Sequence, residues 1–185
     1  MSTDSIWGPI QTSITIAEGI HCVTTASHGG YILSEARLDA MPTAFPRHDH
    51  RSYEEDLACC FVALAFPEYF DTRMQHEAHQ TCKDWFPEVW EAWTGTTLSL
   101  DESSTKRTEA WYHDQAQDWL MITTWGEWHP DVPKGFVAVC ARQGGRQKHT
   151  DVPDQYFLVA ADEYRASRLQ FMVDPSRHRR IESIT

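Results

Sequence analysis

Apolar and polar side chains alternate from Ile10 to Ile16, and after Glu18-Gly19 a β-branched run extends from Ile20 to Thr25. A period of two with a glycine break between the runs predicts a β-hairpin. Ser27-His28-Gly29-Gly30 interrupts the pattern as a turn, and Tyr31-Ile32-Leu33 resumes it as a third short strand. Ser34 is placed to cap a helix over Glu35–Ala40, which Pro42 stops. Residues 43–52 have no period and read as loop. Glu54, Glu55 and Asp56 then precede Leu57–Phe66, ten residues without a polar side chain. Carboxylates complement the positive end of a helix dipole and an all-round apolar run suits burial, so 53–66 is the expected central core helix.

Pro67 separates that helix from an acidic, polar one over Glu68–Trp85, and another starts near Pro87 with Trp90 and Trp93 three apart on one face. After Gly95 and a linker, a helix from Asp101 or Ser103 to Gln117 follows. The pattern then turns to strands: Trp119–Trp125, Gly135–Ala141, Tyr156–Ala160 and Leu169–Val173, with turn signals at His129-Pro130 and Gly144-Gly145 and a short helix over Asp162–Ser167. Strands, then helices, then strands argue for an α+β fold, with an antiparallel sheet of N- and C-terminal strands packed on a central helical layer, over a single domain spanning 1–185.

A chain of 185 residues buries roughly 70% of its unfolded surface. With 41% hydrophobic residues it needs no staples. The charge is more telling. Residues 53–118 hold 14 Asp or Glu against 4 Lys or Arg, so 4 − 14 = −10 of the net −11 lies there. Such a block disfavours DNA and anionic membrane surfaces and suits a partner with a basic surface. Arg165, Arg168, Arg177, Arg179 and Arg180 form the opposite, a basic stretch at 165–185 that reads as a solvated tail. Five cysteines, with Cys59 and Cys60 adjacent in the apolar run, read as free thiols rather than a disulfide framework. The start of the chain lacks a secretory pattern and ten apolar residues make about half a bilayer span, so a cytoplasmic location and no membrane partner are expected.

Two phrases carry a resemblance: Ser27-His28-Gly29-Gly30-Tyr31-Ile32-Leu33-Ser34 followed by Tyr53-Glu54-Glu55-Asp56, and Trp125-Gly126-Glu127-Trp128-His129 followed by Val132-Pro133 and Gly135-Phe136-Val137. With Tyr156-Phe157-Leu158-Val159 and Val173-Asp174-Pro175, nearly the whole chain resembles an uncharacterised bacterial domain family, a domain of unknown function associated with plasmid, phage and other mobile-element proteins. The resemblance supplies no catalytic residues. It implies a setting in which small proteins act against host defence, including restriction and CRISPR systems.

Among local motifs, Ser27-His28-Gly29-Gly30 is the sharpest: paired glycines permit close approach of a ligand, and His28 can act as acid, base or ligand. The bland alternative is a hairpin turn with an exposed histidine. Tyr53, Glu54, Glu55 and Asp56 are its expected neighbours. Metal-like spacings are confined to His48-Asp49-His50 and to His76, His79 and Cys82, but Cys82 is rotated a net ~120° from His76 on a helix, so no metal and no cofactor is expected. The cysteines fall in apolar strands or helix, unlike reactive thiols. Gly144-Gly145-Arg146, with Arg142 and Lys148, reads equally as an anion loop or a solvated turn. Eight tryptophans are many; Trp111, Trp119 and Trp125 suit core packing, while Trp90, Trp93 and Trp128 are open to binding. The leading expectation is a non-enzymatic, acidic binding protein, a counter-defence inhibitor of the anti-CRISPR or anti-restriction type acting on a host protein or nucleoprotein complex. The alternative is a small hydrolytic or nucleotide-modifying enzyme built on His28, Gly29 and Gly30 with Tyr53, Glu54 and Glu55.

Overall fold

The structure is a computed structural model and describes residues 4–146, 153–167 and 171–184. The class is α+β, with N- and C-terminal strands in antiparallel sheets as the pattern predicts. Over the single expected span of 1–185 the chain packs as two compact units, 1–107 and 108–185.

The first unit begins with a minimal hairpin, β1 (Asp4–Ser5) and β2 (Gly8–Pro9). β3 (Thr12–Ala17), β4 (Ile20–Thr24), β5 (Gly29–Leu33) and β6 (Ser52–Glu54) then form a four-stranded antiparallel meander in chain order. Gly19, at φ +76°, makes the β3–β4 turn. Thr25 and His28 close the next one, with the Thr25 N–H donating to the His28 carbonyl at 2.7 Å. Gly29 and Gly30 are therefore strand residues and not the turn itself. Cross-strand pairing sets Ile14, Cys22, Tyr31 and Tyr53 in one row. Between β5 and β6 lies α1 (Glu35–Ala40), capped by the Ser34 hydroxyl accepting from the Arg37 N–H.

The expected helix over 53–66 is corrected. Tyr53 and Glu54 belong to β6, residues 55–58 turn, and only Cys59–Ala65 is helical (α2). The dipole argument for the carboxylates is local, whereas β5 offers a free edge of backbone donors and acceptors; pairing Tyr31 with Tyr53, and burying the Tyr53 ring with its hydroxyl donating to the Pro46 carbonyl at 2.8 Å, outweighs it. The apolar run still fills the core: Cys60, Phe61, Val62, Ala63 and Leu64 are buried among Ile20, Leu33, Phe45 and Phe70. α2 packs on β5, β6 and α3 (Thr72–Trp85), which itself packs on α4 (Pro87–Thr94). A 3₁₀ turn, Pro67–Tyr69, occupies the start of the expected 68–85 helix, because Asp71 caps α3 with its side chain accepting from the Met74 N–H. α5 (Ser104–Asp114) ends three residues short of the expected Gln117.

In the second unit five antiparallel strands run in the order β10 (Met172–Val173), β7 (Trp119–Trp125), β8 (Phe136–Gln143), β9 (Gln155–Ala160), β11 (Arg179–Ile181), with α6 (Ala161–Ser167) following β9. Val139, Phe157, Val159 and Phe171 form one core cluster and Val132, Ala138 and Leu158 another. The basic stretch is built into this unit: Arg179 and Arg180 lie in β11, while Arg165 and Arg177 pair with Asp162 and Glu163. Arg168 and Lys148 lie outside the described residues.

A Cβ on Gly30, at φ +153°, would sit 2.2 Å from the Tyr53 carbonyl oxygen and 2.8 Å from the Trp7 ring. Gly95, the α4 C-cap at φ +70°, faces open space. Gly30→Ala is expected to cost ~3 kcal/mol or more and Gly95→Ala about 1 kcal/mol in urea unfolding, since only the first adds a backbone clash to the left-handed strain. Equal costs would contradict the close β5–β6 approach.

Candidate functional site

The β5–β6 pairing assembles most of the expected site. Gly30 pairs with Glu54, Tyr31 with Tyr53, and the Glu55 N–H donates to the Gly29 carbonyl at 3.0 Å. His28 Nδ1 lies 3.7 Å from Glu54 Oε1, longer than a hydrogen bond, with the imidazole about half exposed. Ser27 is an exposed residue of the turn and Asp56 is exposed beyond β6. The spaces beside both glycines are filled from within. A Cβ on Gly29 would meet the Glu55 carboxylate at 2.5 Å, and the Gly30 position is closed by Trp7 and the β6 backbone. The glycines thus serve close packing of the protein on itself. Tyr53 is fully buried and its hydroxyl is engaged.

Two thiols adjoin this cluster. Burial, and then Glu54 and Asp56, push the Cys59 thiol up to about 11, and burial with Glu55 raises Cys22. Tyr31 is pushed up to about 12 by burial and then by the same two cysteines. At neutral pH these groups stay protonated, which is the opposite of an activated nucleophile.

The helical candidates separate. His76 is exposed on α3, whereas the His79 ring packs against Trp90 and Trp93 at centroid distances of 5.2 and 6.0 Å. Trp90 and Trp93 are half-buried against the first unit's core, and Lys83 sits over the Trp90 ring. Among the described residues no three His, Cys, Asp or Glu side chains are grouped to hold a metal. His48 and His50 stack at 5.1 Å. In the second unit Trp119 and Trp125 pack on its core clusters and Trp111 stacks edge-on with Tyr112, while Trp128 is 75% exposed.

The acids of 53–118 divide into two groups. Asp71 caps α3; Asp84 accepts from the Ser104 N–H and hydroxyl at 2.9 and 2.7 Å; Glu91 holds the Leu98 N–H and Lys106; Glu102 closes a capping box with Ser99 and reaches Lys83 at 3.5 Å; Glu77 pairs with Arg73. Hydrogen bonds hold three of these carboxyls below the usual range: Gln80 and then Ser104 for Asp84, Lys106 and then Leu98 for Glu91, Ser99 for Glu102. Arg107 donates to the Leu100 and Asp101 carbonyls, so all four basic side chains of the block are engaged internally. Glu55, Asp56, Glu68, Glu88, Asp101, Glu109 and Asp118 are exposed and make no ion pair among the described residues.

A cavity of about 660 Å³ lies against the opposite side of the sheet from α2, under the β1–β2 hairpin. Its polar lining includes His21, His50, Arg51 and Ser52, and neither His28 nor Glu54 nor Glu55 is on it. No local motif marks it, because its walls come from the hairpin, all four strands of the meander and the residues just before β6. The closest signal is His48-Asp49-His50, which the spacing read as a metal pattern.

A family model described as a domain of unknown function (DUF7007) matches residues 1–116. The chain belongs to that family. The DUF7007 segment contains the whole first unit and ends two residues beyond α5, so the glycine cluster, the cavity and α2 all fall within it. The phrases from Trp125 onward fall outside the match. No curated protein and no solved structure matches the chain. No helix among the described residues is long and apolar enough to cross a membrane.

His79 Nδ1 is buried without a hydrogen-bond partner among the described residues, and burial, then Lys83 and His76, lower its pKa. A base with a depressed folded pKa takes up fewer protons folded than unfolded, so its neutral form supports the fold fully above about pH 6.5 and progressively less below. His79→Phe keeps an aromatic ring and removes the orphaned nitrogen. The loss of melting temperature from pH 7 to about 5 should shrink in this variant, with His48, also lowered by burial, keeping a residual slope. An unchanged slope contradicts the assignment.

Proposed function

We propose that this chain is a non-enzymatic binding protein that presents uncompensated carboxylates of its DUF7007 segment to a basic surface on a protein or nucleoprotein partner. The observation that carries this reading is the division among its acids: the four cations of 53–118 are consumed internally, while Glu55, Asp56, Glu68, Glu88 and Asp101 remain exposed without an ionic partner among the described residues. Uncompensated charge speeds encounter with an oppositely charged surface, and the exposed aromatics Tyr69 and Trp85 add apolar contact. Three observations weigh against the enzymatic alternative: the engaged Tyr53 hydroxyl, the self-filled glycine positions and the protonated thiols. A narrower form, a mobile-element counter-defence inhibitor, rests on the sequence resemblance alone.

Two variants of equal net charge test the reading: Asp56→Asn/Glu68→Gln/Glu88→Gln, and, as a control outside the DUF7007 segment, Asp131→Asn/Asp162→Asn/Glu182→Gln. Surface plasmon resonance against an immobilised deca-arginine peptide, from about 0.05 to 0.5 M salt, spans Debye lengths of roughly 14 to 4 Å. The first variant should lose about tenfold in on-rate at low salt and the control less than about threefold. Equal losses, or a wild-type on-rate indifferent to salt, would defeat the proposal.

A further inference from the structure

The cavity under the β1–β2 hairpin has a size in the range of small-molecule sites, about 660 Å³ against roughly 300–1,000 Å³. Its walls divide by chemistry. Ile6, Ile10, Val23 and Ile32 make the apolar part. Among its polar lining residues, His50 and Arg51 present unspent donors. The Ser52 N–H donates to His50 Nδ1 at 3.1 Å, so the neutral ring carries its proton on Nε2, which has no partner among the described residues.

Arg51 is exceptional in two independent respects. At φ +55° it is the one non-glycine residue with positive φ among the described residues, a conformation that arginine adopts at a cost. Hydrogen bonds on both sides hold it there: its N–H donates to the His48 carbonyl at 2.8 Å and its carbonyl accepts from the Leu33 N–H at 2.9 Å. Its guanidinium, in addition, makes no hydrogen bond or ion pair among the described residues. Every other basic side chain of the first unit is engaged: Arg37 with the Glu18 carbonyl, Arg47 with Asp39, Arg73, Lys83 and Lys106 with carboxylates, Arg107 with carbonyls. Arg51 is exposed, so its guanidinium stands open to water on the cavity lining and can receive an anion without breaking an existing contact, in a chain of net charge −11. Asp4, the one carboxylate on the lining, is itself partnered.

We propose that this cavity binds a small amphipathic carboxylate, with an aliphatic body against Ile10, Val23 and Ile32 and the carboxylate on the Arg51 guanidinium and His50 Nε2. This site stands apart from the exposed acids and does not depend on the reading above.

Decanoate and decanol share an apolar body and differ in the head group, so isothermal titration calorimetry of the full chain with each separates head-group recognition from simple apolar uptake. The wild type should bind decanoate at least about tenfold more tightly than decanol, the scale of a charge-assisted hydrogen bond. Arg51→Asn retains a residue tolerant of positive φ while removing the cation, and should abolish that preference with decanol binding unchanged. The Asp56→Asn/Glu68→Gln/Glu88→Gln variant should retain it, so a failure of the basic-partner reading leaves this result legible. Absence of decanoate binding, equal binding of acid and alcohol by the wild type, or a preference that survives Arg51→Asn overturns the proposal.

Discussion

The backbone pairing of Gly30 with Glu54 and of Tyr31 with Tyr53 is the constraint on which the first unit turns. It adds the fourth strand to the meander and brings Glu55 over Gly29 on the helical side. It also sets His50 and Arg51, just before β6, and Ser52, its first residue, beside the cavity on the other side. Only glycine at position 30 tolerates the approach, since a side chain there would overlap the very carbonyl with which the strands pair. One short strand of three residues thereby determines what both sides of the sheet present.

The elements legible in the sequence are those specified by their own neighbours. Ser34 and Pro42 bracket α1, and the structure keeps Glu35–Ala40 with the serine cap in place. The apolar periodicity of Trp119–Trp125 gives β7 over the same residues. β6 and β11 were hidden because their evidence lies elsewhere in the chain: Glu54 and Glu55 resemble a helix start, and Arg179-Arg180 resembles a solvated end, until the partner strands are known. The candidate site follows the same division. The phrase joining Ser27–Ser34 to Tyr53–Asp56 anticipates the contact of His28 with Glu54, but through a helix that does not form there. Arg51 had no signal at all, because its left-handed backbone is imposed by hydrogen bonds to His48 and Leu33 and not by any turn residue.

The acidity of the chain has two physical origins that composition merges. Asp71, Asp84, Glu91 and Glu102 act as internal fasteners, terminating helices and tying loop N–H groups, and three of them titrate low because they accept these bonds. Such groups cannot be lent to a partner without loosening the fold. What a partner meets is the remainder, and the remainder is less than the −10 counted along the sequence. Mimicry of duplex DNA becomes harder on this count: even all fourteen acids on one helix give roughly one charge per 7 Å against about one per 1.7 Å in the duplex.

Spending the cations of the first unit internally has a second consequence, which concerns anions. Exposed carboxylates repel any small anion over about a Debye length, and no partnered arginine or lysine can receive it without breaking an existing contact. Arg51 is the exception, and it lies on the lining of an apolar cavity. An anion bound there must supply enough apolar burial to offset the surrounding repulsion, at about 25 cal/mol per Å² of surface removed from water. Inorganic anions supply none, while a carboxylate with a hydrocarbon body does. The same negative field that draws a basic surface therefore makes the cavity selective for amphipathic anions over simple ones.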